Sequence, residues 1–433
     1  MLSPAFADPV EACLDPQVLR EQLRPALAPR GDVVAVRVVH AHRSTSRRRQ
    51  PHPLTAVYEV DLHDAPGSAL RQVRCYAKLH RDGASALALP QPGALHVAAL
   101  DLLLWPWPAD PGLPQLAGLL DPKAAQAFWE VPAQAVHALR HAPENRAVLR
   151  YTHADGRTLY AKTFADDRGA RVKQRFDWFW ERSQRDAGAP LVAQPLHYDP
   201  ETRTLWQAAA RGVPLAAAMD GQSAQGGHAA DAANAAGGRP AARWAPPLAR
   251  ALAALHDAPA ALGGRERLDR AHWLTEAQRR GRKIERALPA LAPCAQATVA
   301  AIERAAARLP AHREVPVHAD FHHGQAWIDG DRAVLFDFDE VALGDPMQDL
   351  ASFVVRLPAA AGADAGARWL AAYAAVAPAH FDTARLAWHL ALQQLMQASR
   401  AFVFQVTHWR AEVARRLERA QALAAQADTG ARP

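Results

Sequence analysis

Cysteine is scarce: Cys13, Cys75 and Cys294 are the only three in 433 residues, and they stand far apart with no metal-ligand spacing between them. A disulfide framework and a cysteine-based zinc site are thereby excluded, and the thiols fit a reducing compartment. Long apolar runs are missing too, so no membrane-spanning helix is expected, because a bilayer core needs about twenty consecutive apolar residues. The opening MLSPAFADPVEACLDP has no basic stretch leading an apolar core, which argues against a secretory leader and for a cytoplasmic location. Charge of one sign does not accumulate either. The 50 Lys and Arg face 44 Asp and Glu, for a net charge of +6 and a pI near 9.5. The arginines are dispersed among acids along Ala-rich stretches, the tightest basic run being Arg47-Arg48-Arg49. Nucleic-acid binding is therefore not expected.

What is present is half apolar, enough for substantial cores and, by length, two to three domains. Most of the chemistry sits in residues 315–353, VPVHADFHHGQAWIDGDRAVLFDFDEVALGDPMQDLASF. This stretch reads as a strand end, an acidic loop, a hairpin on Ile328-Asp329-Gly330-Asp331, an apolar strand over 333–336, and a second acidic cluster of Asp337, Asp339 and Glu340. Two carboxylate-bearing turns are expected side by side. Phosphoryl transfer from a nucleotide needs such a pair, since one aspartate must accept the acceptor hydroxyl's proton while another carboxylate and an amide oxygen hold magnesium against the phosphates. Asp320 is the expected base, with His318 as its orienting hydrogen-bond partner in the catalytic loop. Asp337 is the expected main metal ligand, Asp339 an assisting acid, and Gln325 the amide ligand, five residues after Asp320 where a kinase catalytic loop has Asn. A rival set of transition-metal ligands is His318, Asp320, His322 and His323.

The segments HADFHHGQ, LFDFDE and GDPMQDLA resemble the aminoglycoside phosphotransferase family. The resemblance implies a protein-kinase-like fold, ATP and Mg²⁺ as cofactors, and phosphorylation of a small-molecule hydroxyl. The family's first motif usually reads HGD, followed five residues on by Asn, and this chain departs with Ala319 for Gly and Gln325 for Asn. Alanine at 319 is tolerable at negative φ and strained at positive φ. Gln325 keeps a carbonyl ligand on a side chain one methylene longer. The family uses the aspartate corresponding to Asp349 for structure, so Asp349 is expected to anchor the catalytic loop.

Taken in order, the chain opens with helical LDPQVLREQLRPAL, capped by Asp15 with Pro16 at the first helical position. Three β-rich segments follow, DVVAVRVVHAH, LTAVYEVDLH and QVRCYAKLH, and a similar trio recurs as AQAVHALRH, RAVLRYTH and TLYAKTF. The shared YAK marks an internal repeat with Lys78 in one copy and Lys162 in the other, and each copy looks like the opening strands of a kinase N-lobe. Lys162 is the expected phosphate-binding lysine, because a helical segment follows it in which Phe176, Phe179 and Trp180 recur on one side and Glu181 is available as the lysine's partner. Trp105 and Trp107 are expected to pack the junction between the copies. The APENR loop has no GxGxxG, so phosphate contact would rest on backbone amides near Glu144 to Arg146 and on Lys162. Backbone groups of Gln207, Ala208 and Ala209 are the expected adenine contacts, by analogy with the family's hinge. Residues 216–242 read as a flexible insertion, with helices beyond it in which Phe404 and Trp409 are expected in the core.

The expected fold is α+β and bilobal, with an N-terminal β-rich module at 1–125 that partly repeats the N-lobe, a kinase-like N-lobe at 126–214, and a helical C-lobe at 215–433. Expected partners are a nucleotide and a small-molecule hydroxyl substrate, with no membrane and no nucleic acid. The arginines beyond Leu350 outnumber the acids there, which favours a neutral or anionic acceptor, such as a sugar, over a polycationic aminoglycoside. The alternative is a catalytically weak or inactive pseudokinase that binds nucleotide.

Overall fold

The computed structural model describes residues 8–43, 54–65, 68–80, 92–219 and 244–429. Most of the insertion expected at 216–242 lies outside the described residues, as does the Arg47-Arg48-Arg49 run. The secondary structure is mixed α+β, with sheets dominating the first half and helices the second. The chain divides into two compact units, Met1–Gly156 with Lys162–Asp166 and Arg400–Glu412, and Arg157–Ala161 with Asp167–Ser399 and Val413–Pro433.

The first unit opens with α1 (Pro9–Ala12) and α2 (Pro16–Leu27). Asp15 caps α2, its carboxylate accepting from the amides of Gln17 at 2.8 Å and Val18 at 3.2 Å, with Pro16 in the first turn as expected. An antiparallel sheet follows, made of β1 (Asp32–Arg43), β2 (Leu54–His63), β3 (Leu70–Leu79), β4 (Leu95–Val97) and β5 (Leu102–Pro106), in the order β1-β2-β3-β5-β4. Strand alternation sorts its residues onto two faces. Ala56, Tyr58, Val60 and Leu62 of β2 and Val73, Cys75 and Ala77 of β3 pack with Leu19, Leu23 and Leu27 of α2, while Val57, Tyr76, Leu103 and Trp105 cluster apart from them. Lys78, two residues beyond Tyr76, therefore shares the face turned away from α2. Burial pushes the thiols of Cys13 and Cys75 up to about 12, so both are protonated and unreactive.

The short α3 (Leu116–Leu119) leads to β6 (Ala135–Ala142), β7 (Arg146–Thr152) and β8 (Thr158–Phe164), followed by α4 (Arg168–Ser183), β9 (Pro195–Asp199) and β10 (Thr204–Ala208). These strands form a second five-stranded sheet in the order β6-β7-β8-β10-β9. The strand order repeats that of the first sheet, so the repeat marked by YAK extends to all five strands.

The second unit continues through β11 (Val213–Pro214), α5 (Leu215–Met219), α6 (Ala245–His256), β12 (Arg267–Leu268), α7 (Arg270–Ala287) and α8 (Ala292–Arg308). Leu248, Leu252 and Leu255 of α6 are fully buried, as their helical spacing requires. Then come β13 (Val315–Val317), the hairpin of β14 (Ala326–Asp329) and β15 (Arg332–Leu335), and β16 (Ala342–Gly344). Gly330 turns the hairpin at a φ of 62°, which glycine adopts without steric cost. Helices α9 (Met347–Val355), α10 (Ala365–Val376), α11 (Thr383–Val403) and α12 (Trp409–Thr429) complete the chain. No described helix is long and apolar enough to cross a membrane. Phe404 is exposed and Trp409 half-buried, which corrects the core placement expected for both. Phe402 is the buried ring there, its centroid 5.2 Å from that of Trp409.

Candidate functional site

The loops after β13 and β15 are joined by backbone and side-chain bonds. His318 is fully buried at the end of β13, and its Nε2 lies 2.8 Å from the carbonyl of Phe336, so Nε2 carries the proton and donates. The Phe336 amide donates to the Gln325 carbonyl at 3.0 Å, and Gln325 Nε2 donates to Asp337 Oδ2 at 2.9 Å. The structure thus brings Gln325 and Asp337 together and gives His318 an orienting contact. Asp337 takes φ 64° and ψ 54°, a left-handed conformation that Asp tolerates better than most residues.

Asp349 sits in the first turn of α9, completely buried. It accepts from the amides of His318 at 2.6 Å and Ala319 at 2.9 Å, and His256 Nε2 donates to it at 3.2 Å. The other ring nitrogen of His256 accepts from the Tyr373 hydroxyl at 2.5 Å. One carboxylate therefore ties the loop after β13 to α6, α9 and α10. Ala319 is held at a φ of 67°, the strained case anticipated for an alanine at this position, at a cost of about 1 kcal/mol. Ala319→Gly is expected to raise stability by up to about 1 kcal/mol, less what glycine adds to unfolded-chain entropy, and the denaturant midpoint reads it directly.

Two arginines complete the loops, and neither was singled out from sequence. Arg356, just past the C-terminus of α9, donates from Nη1 to Asp320 Oδ1 at 2.7 Å and from Nη2 to the Phe321 carbonyl at 3.0 Å and Ser352 Oγ at 2.5 Å. Asp349, Ser352 and Arg356 recur at helical spacing, a polar stripe in an otherwise apolar segment that is the available sequence signal. Arg175 of α4 is buried, and donates to the carbonyls of Phe338 at 2.6 Å, Asp339 at 3.1 Å, Val341 at 2.6 Å and Leu262 at 3.1 Å. Phe176 and Phe179 of the same helix each lie 5.0 Å from the Phe338 ring. The turn carrying Asp337 and Asp339 is thereby fixed against α4 by rings and a guanidinium.

The inward charge on α4 is thus Arg175. Glu181 lies on the exposed side of that helix, and among the described residues it has no hydrogen-bond or ion-pair partner. This corrects the expectation that Glu181 partners the strand lysine. Lys162 is buried in β8, its ammonium 5.4 Å from the Phe164 ring centroid. Lys78 is committed to Glu144 at 2.5 Å. The Glu144 amide donates to Asp110 at 3.1 Å, so it is not open to a phosphate as expected. Gln207 is buried and Ala208 and Ala209 half-buried. The Ala208 amide donates to the Gln194 carbonyl at 3.0 Å, and Gln207 pairs with Pro195 of β9.

The paired loops carry a carboxylate and an amide side by side, residue types whose oxygens suit a hard divalent cation. Two or three protein oxygens suit Mg²⁺, which fills its remaining positions with phosphate oxygens and water. The Gln325 amide lies beside Asp337 with its Nε2 turned to the carboxylate, and its oxygen would have to take that place to share a cation with Asp337. The rival imidazole set is not assembled. His323 Nδ1 donates to the Arg356 carbonyl at 3.0 Å, His322 Nδ1 accepts from the Gly324 amide at 3.0 Å, and Asp320 holds Arg356. Burial, with Arg356 nearby, pulls the His322 imidazole down to about 4. Among the described residues no group of three or more His, Cys, Asp and Glu side chains is placed to hold a metal ion.

Residues 144–389 match the profile described as the phosphotransferase enzyme family, more than half of the 433 residues. A comparison with curated proteins finds no match. Similar solved structures include a thermostable mutant of aminoglycoside phosphotransferase APH(4)-Ia in its apo form, at 15% identity, covering 70% of this chain and 98% of that one with a TM-score of 0.47. Another is ADP-bound aminoglycoside phosphotransferase APH(2'')-Ib, at 12% identity, with 70% and 97% coverage and a TM-score of 0.47. A third is a choline/ethanolamine kinase family protein from Mesorhizobium loti, at 14% identity, with 71% and 97% coverage and a TM-score of 0.45.

Proposed function

Because the chain belongs to the phosphotransferase enzyme family, we propose that it transfers the γ-phosphate of ATP, with Mg²⁺, to a hydroxyl of a small molecule. The observation that carries this reading is the Gln325–Asp337 contact at 2.9 Å, which presents an amide and a carboxylate together one loop away from Asp320. Asp320 accepts the proton of the attacking hydroxyl, and Arg356 fixes the direction of its carboxylate. His318 holds the loop's geometry through Phe336. Asp337 and Gln325 are the residues that would hold Mg²⁺, with Asp339 beside them, and the ion when bound neutralises phosphate charge. Lys162 binds the phosphates, and backbone groups of Gln207, Ala208 and Ala209 meet the adenine.

Part of the arginine excess beyond Leu350 is paired with carboxylates. Arg356 faces Asp320, Arg385 faces Asp345 at 2.6 Å, and Arg368 faces Asp364. The remaining arginine excess supports a neutral or anionic acceptor, a small hydroxylated metabolite such as a sugar. Incubating the protein with ATP, Mg²⁺ and a panel of sugars, amino sugars and amino alcohols is expected to give a phosphorylated product by mass spectrometry that disappears with EDTA. One observation favours the nucleotide-binding pseudokinase, namely the guanidinium of Arg356 on Asp320, which weakens a base. Saturable ATP binding with no product from any acceptor would select that alternative.

A further inference from the structure

The N-terminal module reaches the turn between β6 and β7, and it does so with side chains for which the proposed chemistry has no use. Strand alternation places Tyr76 and Lys78 on the same face of β3, and both engage Glu144 in that turn. The Tyr76 hydroxyl donates to Glu144 Oε2 at 2.8 Å, and Lys78 Nζ to Oε1 at 2.5 Å. Asp110, with its side chain wholly buried, accepts from the Glu144 amide at 3.1 Å, the Gly112 amide at 2.7 Å and His141 Nε2 at 2.7 Å. Trp107 lies edge-on to His141 at 5.0 Å, so this tryptophan packs the junction between the two copies. Gln115 donates to Thr163 Oγ1 at 2.7 Å and to the Phe164 carbonyl at 3.0 Å, at the end of the strand that carries Lys162. Ala165 returns a bond to the turn, its amide donating to the Asn145 carbonyl at 2.8 Å.

Contact here is close enough to demand glycine. A Cβ added at Gly112 would stand 2.4 Å from the Glu144 Cα, well inside any permitted separation. Glu144 itself takes a φ of 56°, a conformation that costs a glutamate energy and persists where its surroundings over-determine it. The turn has no glycine, Ala142-Pro143-Glu144-Asn145-Arg146, and its shape is set by a module outside it.

We infer that the N-terminal module is a positioning clamp for the nucleotide: Lys78, Tyr76 and Asp110 hold the β6–β7 turn, and that turn, through Asn145 and Ala165, together with Gln115 holds the strand of Lys162 in the form that receives the phosphates. This rests on the phosphotransferase reading and assigns the module's role within it. A kinase's glycine-rich loop closes over the phosphates by its own flexibility. Here rigidity comes from the partly buried Lys78–Glu144 pair and the buried Asp110 carboxylate, and the ordering cost is met on folding instead of on binding. Lys78 is therefore a positioning residue that acts through Glu144.

The test compares Lys78→Met, Lys78→Arg and Gly112→Ala in the full chain, reading steady-state kinetics and amide hydrogen exchange over residues 141–147. Lys78→Met and Gly112→Ala are expected to speed exchange in the turn and raise the KM for ATP roughly tenfold, toward the roughly hundredfold that an ångström of misplacement costs. The acceptor KM stays constant, and Lys78→Arg recovers most of the loss. Wild-type ATP KM in an active Lys78→Met enzyme, or unchanged exchange in the turn, overturns the clamp. A wild-type protein that neither binds nor consumes ATP overturns the function proposed above and the nucleotide half of this inference with it, while the exchange measurement still shows whether the module holds the turn.

Discussion

Replacing Asp320 with asparagine is expected to lower phosphoryl transfer by roughly 10²–10⁴-fold, the usual contribution of a positioned general base, while ATP binding and stability stay near wild type. Asparagine has the same shape, and its carbonyl can still accept from Arg356 Nη1, which is 2.7 Å from Oδ1 in the wild type. It cannot take the acceptor's proton. Arg356 also keeps its bonds to the Phe321 carbonyl and Ser352, so the loop holds its place. The loss should fall on kcat, with little change in the KM for ATP. Turnover equal to wild type would remove Asp320 from the base role, and a parallel loss of stability would assign it to structure.

Asp349→Ala has the largest expected effect on folding. The substitution strands the amide of His318 and the Nε2–H of His256, both buried, and the amide of half-buried Ala319. Each unsatisfied buried donor costs about 1–3 kcal/mol, so a total of about 3–5 kcal/mol is expected, a large share of the roughly 5–15 kcal/mol that holds a typical protein folded. Asp349→Asn should recover little, because a carboxamide accepts at one end only and turns an NH₂ toward another donor. A denaturant midpoint within about 0.5 kcal/mol of wild type, the range of an ordinary surface substitution, would show that the loop after β13 does not depend on this carboxylate.

Much of the fold was readable because its signals are local. The Asp15 cap, the β-rich segments, the YAK repeat and the hairpin at Gly330 each depend on neighbours in sequence, and the structure forms all of them. HADFHHGQ and LFDFDE could likewise be paired from their order alone, since β14 and β15 lie between them and fold them together. Glu181 shows where such reasoning stops: spacing put it on the right helix, but the inward position belongs to Arg175. Phe404 fails in the same way, as hydrophobicity gives no account of which ring in a run faces out.

By itself the sequence determined which residues can do chemistry, and which short segments carry them, because proton affinity, metal preference and backbone propensity are properties of residues and their near neighbours. Tertiary structure alone decided what those residues face. Arg356 on Asp320, Arg175 on the turn after Asp337, and Lys78 on Glu144 join positions 36, 163 to 166 and 66 residues apart. Pairings over such distances follow from how whole elements pack, and no local pattern encodes them.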